Sequence, residues 1–185
     1  MSVRGGNENV KYFLSGGLLN QKGIFPNSVM NYDQQNIRSN IDIKLNDYMN
    51  VKADLSGTFG KRTEPQMGPN EFIFWLVYRH YPWYPVKYSG DRWFDGMSDG
   101  WNPARMGSDD GGIGENQNNR YNSRFTFEIG NPWIKGLSID GYFAYDINTD
   151  VSKTIQKPWQ GYLYDASVDS AVRVQNSKIS SIKVS

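Results

Sequence analysis

The chain contains no cysteine, which excludes disulfide scaffolds, thiolate-bound zinc and cysteine nucleophiles together. It has a single histidine, His80, in the run Tyr78-Arg79-His80-Tyr81-Pro82-Trp83. No nucleophile-elbow pattern accompanies it, so a Ser-His-Asp triad has no anchor, and the chain is not read as an enzyme. Charge of one sign is also missing: 20 Lys and Arg against 19 Asp and Glu leave +1. That balance gives no electrostatic footprint for nucleic acid. No apolar run approaches the roughly 18 residues of a membrane helix. The N-terminal Met1 to Gly6 lacks the apolar stretch of a signal peptide. A transmembrane β-barrel stays open, because its strands show lipid only every second side chain and average out as polar.

What is present points to strands. The length of 185 residues fits one domain, and 15% aromatics with 19 Gly suit pleated, half-buried surfaces. Val10, Tyr12, Leu14, Gly16 and Leu18 alternate with Lys11, Phe13, Ser15, Gly17 and Leu19, predicting a strand over about 10–20. Ile37, Ile41, Ile43 and Leu45 alternate with Arg38, Asn40, Asp42 and Lys44 over 36–45. Val51, Ala53, Leu55, Gly57 and Phe59 alternate with polar partners over 50–62. With the turn at Asn46 to Asn50 these two runs read as an antiparallel hairpin. A second hairpin joins 121–130, carrying Phe125, Phe127 and Ile129, to 137–150, carrying Ile139, Gly141, Phe143 and Tyr145, through Asn131 to Gly136.

Short turns at 5–9, 46–50 and 131–136 alternate with long segments around 21–34, 62–120 and 149–185. Outer-membrane barrels have that asymmetry, with short periplasmic turns, long extracellular loops and strands of about ten residues. The fold class expected is therefore all-β, with antiparallel hairpins forming part of a transmembrane β-barrel. The long extracellular loop 63–120 is expected to hold a short helix at Glu71 to Arg79, stopped by Pro82 and Pro85. Its aromatics have two readings. They form the loop's own packed core, or Trp83, Tyr84, Trp93 and Trp101 stack on a ligand at a vestibule. Asp91, Asp95, Asp99, Asp109 and Asp110 lack EF-hand spacing and read as solvated acids, so no metal or cofactor is expected.

Specific strings add to the periods. Val3 to Ile24, containing Val10-Lys11-Tyr12-Phe13-Leu14-Ser15-Gly16-Gly17, closely resembles the start of the barrel in TonB-linked outer-membrane transporters of the SusC/RagA type. Asn36-Ile37-Arg38-Ser39-Asn40-Ile41-Asp42 is similar to that family's "RSN-D" strand, and Pro82-Trp83-Tyr84-Pro85 to its "P-x-Y-P" loop. Trp133-Ile134-Lys135-Gly136-Leu137-Ser138, Phe143-Ala144-Tyr145-Asp146 and the stretch Lys153 to Tyr164 look like its "WLKGLS... YD... K... P... LY" segment. The likeness covers roughly 2–165 in the family's order, and the tail 167–185 matches nothing in it. The resemblance implies a barrel of about 22 strands closed by a plug. Such a barrel imports oligosaccharides or peptides across the outer membrane of a Gram-negative bacterium, with TonB and a SusD-like surface lipoprotein as partners and membrane lipid around it. On this expectation the chain is a barrel fragment without plug, TonB box or closing strands. With two unpaired edges it does not span a membrane by itself. The competing expectation is a soluble or secreted β-rich carbohydrate-binding module, in which the face of Val51, Leu55 and Phe59 is buried by a second sheet.

Overall fold

The computed structural model describes residues 1–185 except 69, 71–76, 96–101, 135, 178–180 and 185, with backbone only for 173–177 and 181. The elements in order are β1 (Ser2–Gly6), β2 (Val10–Lys22), β3 (Asn31–Asn46), β4 (Met49–Pro65), β5 (Lys87–Tyr88), β6 (Arg92–Trp93), α1 (Pro103–Gly107), β7 (Ile113–Gly130), β8 (Ser138–Gln156), β9 (Trp159–Asp165), β10 (Ser170–Ser177) and β11 (Ser181–Val184). The fold is all-β and mostly antiparallel. One seven-stranded sheet runs β1-β2-β3-β4-β7-β8-β11 and is open, with β1 and β11 at its edges; β9-β10 and β5-β6 make two small sheets.

The three short turns share one device. Each opens on an asparagine whose side-chain oxygen accepts from the backbone N–H groups that follow, which closes the turn. Asn7 Oδ1 takes Asn9 N (2.9 Å) and Val10 N (2.8 Å). Asn46 Oδ1 takes Tyr48 N (2.9 Å), and Asn131 Oδ1 takes Trp133 N (2.8 Å) and Ile134 N (3.2 Å). Gly136 completes the last turn at φ +88°, a left-handed conformation that suits glycine. In the β3–β4 turn Lys44 binds Asp47 at 2.7 Å and holds that carboxyl below its ordinary pKa. The turns lie at one end: Gly130 N donates to Tyr48 O (2.7 Å) and Lys44 N to Asn9 O (2.7 Å).

The strands outrun their expected bounds. β1 occupies part of the region read as a leading turn, pairing Ser2 with Ser15 and Gly6 with Lys11. β3 begins at Asn31, so the loop before it is shorter than the segment expected over 21–34. β7 starts at Ile113, inside the expected loop 63–120. Its first half, Glu115-Asn116-Gln117-Asn118-Asn119-Arg120, is polar on both faces and carries no alternation. Side-chain bonds hold it instead: Asn116 Nδ2 to Glu64 Oε1 (3.2 Å), Ser152 Oγ to Asn116 Oδ1 (2.8 Å), and Asn118 to Asp150. The tail beyond Asp150, expected as a long connecting segment, adds the β9–β10 hairpin and then β11, whose Ser181 pairs with Gln156 and Val184 with Lys153. The helix expected at Glu71 to Arg79 falls largely on 71–76, outside the described residues.

The chain divides into two compact units, Met1–Asn20, Asp33–Lys61 and Gln117–Asp150 in the first, Gln21–Tyr32, Arg62–Asn116 and Val151–Ser185 in the second. The first unit taken by itself is a single layer of sheet. The second holds α1, the two small sheets and what core there is. Among the described residues the buried large apolar side chains are Phe94 and Met106, Pro65 is buried at the end of β4, and Phe25, Met30 and Met67 pack on Met106.

Candidate functional site

The first unit has two chemically opposite faces, and in β3, β4, β7 and β8 residue parity sorts them because successive side chains of a strand alternate; in β2 the exposed apolar residues Tyr12, Leu14 and Leu18 are the even-numbered ones. On the even side, polar groups reach across strands. Lys52 Nζ binds Glu128 Oε1 at 2.5 Å, with Asn50 Nδ2 reaching the same carboxylate at 3.5 Å. Asn40 donates to Asp54. Asn122 Nδ2 donates to Asp146 Oδ1 (2.9 Å), and the Arg124 guanidinium lies 5.1 Å from the Tyr142 ring centre. A hollow of about 460 Å³ opens among Arg38, Asp54, Asn122, Arg124 and Asp146.

The odd side is apolar and bare. Leu55, Phe127, Ile139 and Phe143 are exposed, Ile139 by 68% and Phe143 by 61%. Phe59 stands edge-on to Tyr121 with ring centres 5.1 Å apart. Two glycines make room for this packing: a Cβ at Gly57 would meet the Phe59 ring, and one at Gly141 the Phe127 ring. Among the described residues of this unit no second layer covers the face of Val51, Leu55 and Phe59, the face that a sandwich buries.

The second unit is organised around buried polar groups. Asn102 precedes Pro103, an N-cap followed by proline at the first helical position. Its Oδ1 accepts from Ala104 N (3.0 Å) and Arg105 N (3.2 Å), while its Nδ2 donates to Val86 O (2.8 Å) and Phe94 O (3.0 Å). One amide therefore caps α1 and joins it to the residues that flank the β5–β6 hairpin. Replacing Asn102 with alanine is expected to destabilise this unit by about 2 kcal/mol, since it removes a cap and takes the side-chain donor from the buried Phe94 carbonyl. Chemical denaturation followed by tryptophan fluorescence measures the loss.

Arg105 is 4% and Asp95 2% exposed. Burial pushes the Arg105 pKa down to about 10, against the opposing pull of Asp95 and Asp110. Asp95 thus corrects the expectation of solvated loop acids: a charged neighbour inside the fold holds it there. Asp95 N donates to Tyr162 O (2.9 Å), and Gly161 is required because any Cβ would overlap the Asp95 side chain. Asp91 and Asp109 pair with Lys87 and Lys157. Asp99 lies outside the described residues. Among the described residues no group of three His, Cys, Asp or Glu is placed to hold a metal.

The expected ligand aromatics separate. Trp83 is 71% exposed and stacks on Tyr81 with ring centres 4.7 Å apart. Tyr84 belongs to a packed cluster, 4.8 Å from Phe94 and edge-on to His80. His80, the lone histidine, is half-buried there, and desolvation lowers its pKa. Tyr88 packs on Phe94, and its hydroxyl accepts from Tyr164 N (3.1 Å). Trp93 stands apart, lining a groove of about 400 Å³ with Arg92, Arg105, Lys157, Trp159 and Tyr162. Trp101 lies outside the described residues. Trp159 and Tyr162 had no mark of a site in the sequence beyond their place in the Lys153 to Tyr164 string. The Asn102-Pro103 dipeptide, by contrast, is a helix-start signal that could have located α1. Compared with protein-family models and with curated proteins, the chain matches no family and no curated protein.

Proposed function

We propose that the chain is a segment of an outer-membrane, TonB-energised importer of oligosaccharides or peptides, with lipid against the apolar face, odd-numbered in β3, β4, β7 and β8, and an aqueous interior against the polar face. One observation carries the reading: a single-layer sheet bears an exposed aliphatic and aromatic face opposite a hydrogen-bonded ionic one. In water, a contiguous bare apolar surface of this kind is a liability, and hydrocarbon removes it. The resemblance of four strings to SusC/RagA-type transporters supports the same reading, and it supplies TonB and a SusD-like lipoprotein as partners. In a bilayer each unsatisfied backbone group costs several kcal/mol, so on this reading further strands join the edges at β1 and β11. The alternative, a soluble carbohydrate-binding module, needs a covering layer that the described residues of the first unit do not form.

Spin labels placed one at a time at Leu55, Phe127, Ile139, Phe143, Asp54, Arg124, Ala144 and Asp146, in the intact transporter that contains this segment, reconstituted in phospholipid bilayers, test the proposal. Oxygen, which partitions into lipid, is expected to relax the odd-numbered labels, and a water-soluble nickel chelate the even-numbered ones. Uniform access of the nickel chelate to both sets would remove the membrane reading.

A further inference from the structure

We infer that the groove between β6 and β9 in the second unit is a binding site for a neutral oligosaccharide, with Trp93, Trp159 and Tyr162 as its stacking platforms. Each ring has a cation on one side: Lys87 Nζ lies 3.7 Å from the Trp93 ring centre, the Arg105 guanidinium 5.3 Å from Trp159 and the Arg92 guanidinium 5.9 Å from Tyr162. A cation so placed fixes the ring and occupies one face, and the ring, half-buried, presents what remains to the groove.

The cations themselves are committed. Lys87 pairs with Asp91 and Lys157 with Asp109. Arg92 donates to Ser89 O (2.8 Å) and Ala171 O (3.1 Å). Arg105 donates to Asp110 O (3.3 Å) with the Asp95 and Asp110 carboxylates close by. An anionic ligand therefore has to break existing pairs, whereas a neutral one leaves them intact. A peptide captured by strand addition needs an open edge, and β9 is already engaged at Tyr162, which lines the groove. It pairs with β10 on one side, and on the other Tyr162 bridges Phe94 and accepts from Asp95 N at 2.9 Å. Gln160, exposed beside the rings and accepting from the Tyr162 hydroxyl at 2.9 Å, keeps an amide donor for a sugar hydroxyl. Flat rings with planar polar groups around them suit the apolar faces and hydroxyl edges of pyranose units.

The inference rests on the importer reading only for what the sugar is bound for. Binding itself is measured separately from the lipid contact of the spin-label experiment, so each can fail alone. The full chain in a detergent without sugar headgroups is titrated calorimetrically with maltohexaose, cellohexaose, mannohexaose and xylohexaose, and with hexagalacturonate and hexa-alanine as anionic and peptide comparators. At least one neutral hexaose is expected to bind. Trp93→Ala and Trp159→Ala are each expected to weaken that binding about tenfold or more, Trp159→Phe to keep it within about threefold, and Trp83→Ala to leave it unchanged. Circular dichroism establishes that each variant is folded, and the Trp159→Phe variant keeps the test valid if the alanine variant is not. Failure of all four neutral sugars to bind, tighter binding of hexagalacturonate or hexa-alanine, or full affinity in folded Trp93→Ala and Trp159→Phe/Trp93→Ala proteins overturns the inference.

Discussion

Phe143→Arg is expected to destabilise the intact bilayer-embedded transporter that contains this segment by about 2–4 kcal/mol, and Ala144→Arg, one residue along the same strand, by about 1 kcal/mol or less. The difference follows from parity. Phe143 is on the bare odd face, 61% exposed, and Ala144 lines the polar hollow beside Asp54 and Asp146. Depth sets the magnitude. Phe143 lies five residues beyond Ser138, where β8 leaves its turn. At about 3.3 Å per residue and a tilt of about 45° that places it roughly 12 Å into an apolar band some 25 Å tall, near the midplane where a charge costs most. At position 144 the new guanidinium faces two carboxylates and water. Urea unfolding midpoints in phospholipid bilayers give both values. In a water-exposed sheet the two substitutions would be nearly equal, or Phe143→Arg would be the milder, and either outcome excludes lipid at this face.

The same parity explains what the sequence made legible. The hairpins around 36–62 and 121–150 could be read because one face is aliphatic or aromatic and the other ionic, so a period of two is visible without any structure. Where both faces are wet the period vanishes. The first half of β7 is the example, fixed by Asn116, Asn118 and their partners on β4 and β8, residues far away in sequence. β1, with only Val3 as a sizeable apolar residue in Ser2-Val3-Arg4-Gly5-Gly6, gives too little pattern to register. The groove was half legible. Trp93 stood out as an aromatic in a hydrophilic loop, but its partners Trp159 and Tyr162 come from a hairpin beyond β8. The cations that orient the rings are set by tertiary pairing, which composition and spacing do not encode. Asp95 is the sharpest case: nothing local distinguishes it from Asp91 or Asp109, and only the arrival of Arg105 and Gly161 makes an aspartate tolerable at 2% exposure.

That pairing sets the largest expected effect in the second unit. Arg105→Met is expected to cost about 3–5 kcal/mol, because it leaves the Asp95 carboxylate buried without that opposing charge, and Asp95→Asn less, because Asp110 still opposes Arg105. The double variant is expected to lose less than the sum, with a coupling of about 1 kcal/mol or more, since no buried charge is then left stranded. The sign of the Arg105 shift agrees. Its folded pKa, about 10, lies below its ordinary value, with desolvation as the leading cause. Between those two values the unfolded chain binds the proton that the folded chain has lost, so this group weakens the fold below pH 10 and the penalty lifts only as the pH rises past it. Asp95 offsets part of that penalty at neutral pH, and Asp95→Asn removes the offset while keeping the shape. The test is a double-mutant cycle on denaturant unfolding at pH 7, with Phe143→Arg as a control outside this unit. Strictly additive losses for Asp95→Asn and Arg105→Met would show that the two groups do not stabilise one another, and the buried pair would cease to be the organising contact of this unit.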